Sequence, residues 1–281
     1  MANILYPPPR PQSVGEILDS AFRIFRATLV KCLPYAIGAV IAAELANLYN
    51  LASHQVLAPL QQVRDPVWWT LYLVGILIAG AILGSAILLR QYALATGHPV
   101  SAGAELGTAA RRLPGMLLLV ILFVLALLVS LVPLALVAVF QGWLRLLMGL
   151  LLLLPASCVC LALSSSWPIL LLTGKGALQS LIHSARLTWG SWWRLTLIYT
   201  VAVVLLVALY LVSVLIAGLT AALFAHGDIL MITAVSAVLV VLLSALVTPF
   251  YYALALAVLG DLSVRREGAD LAQRLATPAA S

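Results

Sequence analysis

Ser13-Val14-Gly15-Glu16-Ile17-Leu18-Asp19-Ser20-Ala21-Phe22-Arg23-Ile24-Phe25-Arg26-Ala27-Thr28-Leu29 stands immediately before the first long apolar run of the chain. Ser13 and Glu16 have the S-x-x-E spacing of a capping box, in which hydroxyl and carboxylate each satisfy a backbone amide that a helix start leaves without a partner. A helix therefore begins here. Val14, Ile17, Leu18, Ala21, Phe22, Phe25 and Leu29 recur at steps of three and four and fall on one face of it. Glu16 and Asp19 lie near its positive end, Arg23, Arg26 and Lys31 near its negative end, as the helix dipole favours. Beside a transmembrane segment, a helix with one apolar and one charged face is expected to lie in the headgroup plane.

The chain around this stretch has 281 residues, 64% of them hydrophobic and 9% charged, where soluble domains carry roughly 25% charged residues. That composition indicates an integral membrane protein. A helix crossing the hydrocarbon needs about 20 apolar residues, and six such spans with their connections use nearly the whole length. The net charge of +6 sits at the ends of apolar runs and forms no dense patch, which argues against nucleic acid as a partner. Cys32, Cys158 and Cys160 fall in or beside apolar runs, where a thiol behaves as a small hydrophobe. No cleavable leader is expected, because the first apolar run follows a long polar and amphipathic segment.

The opening motif returns twice in weaker form. In the second copy Ala102, Leu106, Ala109, Ala110 and Leu113 make the stripe, with Glu105, Arg111 and Arg112 off it. In the third, Leu178, Leu181, Ile182, Ala185, Trp189 and Trp192 make it, with Gln179, His183 and Arg186 off it. Ser20-Ala21, Thr108-Ala109 and Ser184-Ala185 correspond. Each copy precedes a pair of apolar runs: Val30 to Leu51 and Trp68 to Leu89, Gly115 to Phe140 and Trp143 to Leu172, Arg194 to Phe224 and a last run ending near Gly260. The pattern predicts an all-α polytopic membrane protein with six transmembrane helices in three parallel repeats, each an interfacial amphipathic helix plus a helix pair. The units are residues 13–95, 101–172 and 175–260, preceded by a proline-rich lead-in (1–12) and followed by a charged tail (261–281). Gly80 and Gly84 form a G-x-x-x-G that permits close helix contact in lipid.

Of the fifteen basic residues, all but Arg64 and Arg145 fall on one side of this six-span arrangement. By that bias both termini are expected in the cytoplasm. Arg23, Arg26, Arg111, Arg112 and Arg186 then face the inner leaflet, where anionic headgroups attract each basic residue by around 1 kcal/mol. Glu44 is the anomaly of the first span, with Asn47 on the same face and His54 able to extend the stripe. A carboxylate at membrane depth costs about 2.5–3.5 kcal/mol on insertion scales, so it should face protein or water. Cys158 and Cys160, with no His or acid nearby, are expected to line a helix interface with Ser157 and Ser164 to Ser166 instead of binding metal. Thr173-Gly174-Lys175-Gly176 lacks the upstream glycine and the G-K-[ST] ending of a phosphate loop. No catalytic or metal-ligand set and no cofactor is expected.

Arg10-Pro11, Gly15-Glu16-Ile17-Leu18-Asp19 and Phe22-Arg23 at one end, and Gly260-Asp261-Leu262-Ser263-Val264-Arg265-Arg266-Glu267-Gly268-Ala269-Asp270-Leu271 at the other, resemble the bacterial glycerophosphoryl diester phosphodiesterase membrane-domain family. The second stretch is similar to its closing D-L-R-x-R-x-E-G-x-D-L signature (Asp261, Arg265, Arg266, Glu267, Gly268, Asp270), with Ser263 in place of arginine and Gly260 in place of an aromatic. In those phosphodiesterases a soluble catalytic barrel follows the membrane region, and this chain ends soon after the signature, so the resemblance does not imply that activity. The expected role is a non-enzymatic scaffold or accessory subunit of the inner membrane. Its expected partners are the bilayer, anionic headgroups and another membrane protein. The alternative is a transporter or lipid-handling protein using Glu44 and Asn47.

Overall fold

The computed structural model describes residues 5–52, 66–98, 100–139, 141–224 and 229–268, and these are helical without any strand. The elements are α1 (Val14–Ala52), α2 (Pro66–Ala95), α3 (Ala102–Leu131), a 3₁₀ segment (Val132–Val139), α4 (Gly142–Leu163), α5 (Ser166–Thr173), α6 (Ala177–Thr188), α7 (Trp192–Phe224) and α8 (Ile229–Glu267). Among the described residues, six stretches are long and apolar enough to cross a membrane: Val14–Leu45, Val67–Ala95, Ala102–Val137, Gly142–Thr173, Trp192–Thr220 and Val241–Glu267. The chain is therefore built as a multi-pass membrane protein.

Local chemistry sets the breaks. The capping box forms as the spacing predicts: Ser13 N–H donates to Glu16 Oε2 at 2.7 Å, and Glu16 N–H to Ser13 Oγ at 3.3 Å. Pro133, which has no amide donor, falls where α3 gives way to the tighter 3₁₀ segment. The fourth span breaks at Ser164-Ser165. There Ser164 Oγ and Ser166 Oγ donate back to the carbonyls of Leu161 and Leu163, and Pro168 leaves the Ser164 carbonyl without its helical amide. Gly174, with φ of 70°, ends α5 in the left-handed region that a side chain disfavours.

The chain divides into two units. The first comprises residues 1–5, 20–110 and 200–254. Its core is Cys32, Ala36 and Val40 of α1, Ile87 of α2 and Ala245 of α8, with Tyr35, Val241 and Tyr252 packed against them. Phe22 and Phe25 both meet Phe250, at centroid distances of 4.9 and 5.7 Å. Gln91 Nε2 donates to the Pro249 carbonyl at 2.7 Å, supplying a donor near the proline in α8. Gly84 carries Tyr252 over its bare Cα, whereas Gly80 has nothing within 4 Å. Half of the G-x-x-x-G pair thus seats an aromatic ring.

The second unit comprises residues 6–19, 111–199 and 255–281. Its buried apolar side chains include Met116 and Leu119 of α3, Ile169 to Leu171 of α5, Leu187 of α6, Leu195 and Ile198 of α7, and Leu256, Val258 and Leu262 of α8. Small polar residues tie α6 to the fourth span: Ser184 Oγ donates to the Ala162 carbonyl at 2.7 Å, and Thr188 Oγ1 reaches the same oxygen at 3.4 Å.

Several expectations change here. Ser13 to Leu29 and Ala102 to Leu113 are not separate interfacial helices, since α1 and α3 run on without interruption into their spans. No stop signal of the Gly174 kind follows Leu29, and Pro114 is absorbed within α3. Only the third copy, α6, stands free, ended by Trp189 and by Gly190 at φ 81°. In α1 the buried face is Ile17, Ser20, Ala21, Ile24 and Thr28, while Phe22 is exposed. Cys158 and Cys160 are exposed on α4, outside any helix interface among the described residues. The boundary drawn at residue 260 falls inside α8, which continues to Glu267.

Candidate functional site

Two buried ionic clusters stand out, one in each unit. The first builds on Glu105, in the opening turn of α3, where the helix dipole favours a carboxylate. The sequence pattern placed Glu105 off the apolar stripe, yet the residue is only 3% exposed. Arg90, near the C-terminus of α2, explains this: its Nε lies 2.9 Å from Glu105 Oε2. Tyr35 of α1 closes the triangle, its hydroxyl 3.2 Å from both Glu105 Oε2 and Arg90 Nη2, with the guanidinium 5.7 Å from the tyrosine ring centroid. Burial without a partner would be prohibitive for either ion, and the mutual pairing offsets it.

The second cluster builds on Asp261 of α8, whose side chain is 2% exposed. Arg194, in the first turn of α7, places Nη2 2.9 Å from Asp261 Oδ2. Arg265, one helical turn on, approaches through Nε at 3.0 Å. The third donor is the backbone amide of Gln12, 2.7 Å from Asp261 Oδ1. The Gln12 carbonyl in turn accepts from Arg265 Nη2 at 2.7 Å and from Arg194 Nη2. One residue of the N-terminal segment is thus held by its amide on the carboxylate and by its carbonyl on both guanidiniums.

Upstream, the same segment covers Gly260. A Cβ at that position would lie 2.8 Å from Tyr6 Cε2 and 2.9 Å from Pro8 Cδ, closer than carbon atoms approach. Absence of a side chain at 260 is what lets residues 6–12 lie flat on α8. The segment expected to be a plain lead-in is a packed strap, with Pro8 and Gln12 buried.

The rest of the closing signature is also engaged within the chain. Arg266 Nη2 donates to the Trp189 carbonyl at the end of α6. Glu267 Oε1 lies 3.1 Å from His183 Nε2, and His183 Nδ1 lies 3.2 Å from Lys175 Nζ. An ammonium only donates, so Nδ1 accepts and the ring proton sits on Nε2, facing the carboxylate. Gly268, at φ 63°, follows the last helical residue. Asp270 lies outside the described residues. Arg265 and Arg266 are exposed yet bonded within the chain, whereas Asp261 is buried because three donors converge on its carboxylate.

The arginines expected at the lipid surface divide. Arg26, Arg111 and Arg186 are exposed, as is Arg23, which donates to Ser20 Oγ at 3.3 Å. Arg112 instead turns inward, its Nη1 donating to the carbonyls of Leu170, at 2.9 Å, and Leu171. It caps the C-terminus of α5, the negative end of that helix. Glu44 is half-buried on α1. Asn47 lies on the same helix with its side chain outside the described set, and His54 and Arg64 fall outside the described residues altogether.

Sequence reasoning missed Arg90, Tyr35, Arg194 and Gln12 as site residues. The available signal was that Arg90, Glu105, Arg194 and Asp261 each sit within a turn or two of a span end, on charges a bilayer would reject unless paired. Among the described residues no group of three or more His, Cys, Asp or Glu could hold a metal. Comparison with family models, with curated proteins and with solved structures returns no match for this chain.

Proposed function

We propose that this protein is a non-enzymatic, multi-pass protein of the bacterial inner membrane, a scaffold or accessory subunit that engages lipid and another membrane protein. In this reading it is a relative of the glycerophosphoryl diester phosphodiesterase membrane domains. The observation that carries it is the contact between Gln12 and Asp261. The two stretches on which the family resemblance rests are the ones that meet in the fold, and they meet through backbone and paired charges. A signature used in this way supports a role in holding a membrane domain together.

Both termini are cytoplasmic in this reading, which follows from the basic residues flanking the spans. Reporter domains fused after residue 225 should be exported and those fused after residue 281 retained; the opposite result overturns the orientation. Purified protein in vesicles of bacterial lipid should retain bound lipid or a membrane-protein partner at fixed stoichiometry and turn nothing over. Hydrolysis of a glycerophosphodiester, or a solute flux that Glu44→Gln abolishes, overturns the non-enzymatic scaffold.

A further inference from the structure

α6 is amphipathic, yet it leaves much of its large apolar surface facing outward. Its buried side is made of Ala177, Ser180, Leu181, Ser184, Leu187 and Thr188, three of them hydroxyl residues with no exposure or nearly none. Its outer side carries Leu178 at 60%, Ile182 at 45% and Trp189 at 69% exposure, and Trp193 just beyond it is 89% exposed. Water would make that arrangement costly twice over, by wetting large apolar side chains and by drying hydroxyls.

The connectivity says what lies against the outer side. α6 joins a span ending at Thr173 to one beginning at Trp192. With 12 residues it rises only about 18 Å, too short to cross the roughly 30 Å of hydrocarbon. Both of its ends are therefore at the same membrane face. Arg186 is exposed in its last turn, and Trp189 and Trp193 have the ring chemistry of the headgroup belt.

We propose that α6 is the headgroup-seated element of this protein. Leu178, Ile182, Trp189 and Trp193 enter the boundary between headgroups and acyl chains, and Arg186 contacts the phosphates of anionic lipid. The inner, hydroxyl-rich side fixes the helix to the Ala162 carbonyl at the break in the fourth span, so the depth of α6 in the bilayer is tied to the shape of that break. The amphipathic beginnings of α1 and α3 do not share this role, because each is the first part of a continuous spanning helix. This inference rests on the reading of the chain as a lipid-engaging membrane protein.

The test places a cysteine at Ile182, with Cys158 and Cys160 replaced by serine, and labels it with an environment-sensitive fluorophore. The full-length protein is then reconstituted into vesicles of phosphatidylcholine, with or without phosphatidylglycerol. The label should be quenched by bromines high on the acyl chain more than by deep bromines or by aqueous iodide. Leu178→Cys gives a second reading of the same face if the first variant folds poorly. In native mass spectrometry, Arg186→Gln should lower retained phosphatidylglycerol about fivefold, the factor expected for one basic residue at an anionic surface. Labels reached equally by iodide, or phosphatidylglycerol retention unchanged by Arg186→Gln, overturn the proposal. A chain that does not float with vesicles at all overturns the membrane reading beneath it, a different and separable outcome.

Discussion

The Gln12 amide donates to the Asp261 carboxylate at 2.7 Å, joining positions 249 residues apart. Gln12 offers both its backbone amide and its backbone carbonyl to one ionic cluster, so the strap and the end of α8 are held by the same few atoms. Closing so long a loop is entropically costly. The convergence of Arg194 and Arg265 on the same carboxylate and the same carbonyl offsets that cost with charge-assisted bonds.

Asp261→Asn removes the charge that balances two guanidiniums while keeping the shape of the side chain. Loss of one partner from a buried ionic group costs about 3 kcal/mol. The variant should unfold at a lower temperature in detergent, and the Gln12 amide, which donates to this carboxylate, should exchange its hydrogen faster. Unchanged exchange at Gln12 would show that the strap is held by something other than this cluster.

Gly260→Ala should loosen the strap without altering any charge. The new methyl group would press on Tyr6 and Pro8, at a cost of about 1–3 kcal/mol as for overpacking. Hydrogen exchange in residues 6–12 should rise, and Tyr6→Ala in the same chain should recover part of the loss. An additive double variant would mean that Tyr6 is not what occupies the space over Gly260.

Glu105→Gln should destabilise by roughly 3 kcal/mol, because it leaves Arg90 buried with a neutral partner. Glu105→Leu combined with Arg90→Met should cost far less than either substitution alone, since a buried ion pair replaced as a whole by apolar residues is often close to neutral. A thermal-denaturation cycle over the two single variants and the double one measures the coupling, and a coupling near zero would contradict the pairing seen here.

Arg112→Gln separates structural from lipid-facing arginines. It should lower thermal stability by about 0.3–1 kcal/mol, the value of a cation at a helix C-terminus, and leave phosphatidylglycerol retention as it is. Arg186→Gln should do the reverse. If the two variants lose lipid equally, the cap on α5 is not the main role of Arg112.

Much of this molecule is written in periodicity and caps. Ser13 and Glu16 announce the start of α1 because a capping box needs only residues three apart. The spans announce themselves because the hydrocarbon demands long apolar runs whatever their neighbours are. α1 and α3 run on into their spans for a local reason: amphipathic and spanning segments share one helical geometry, and a terminator such as Gly190 is needed to separate them.

Which face of each helix is buried, and which distant residue answers each charge, belongs to the tertiary structure. Glu105 and Asp261 look like solvated charges in the sequence because their partners, Arg90 and Arg194, lie on other helices. The role of Gly260 depends on a strap from the far end of the chain. The apolar stripe of α6, moreover, divides, with Leu181 buried and Leu178, Ile182 and Trp189 exposed. Hydrophobic periodicity identifies the faces of a helix, and only packing decides which of them meets protein.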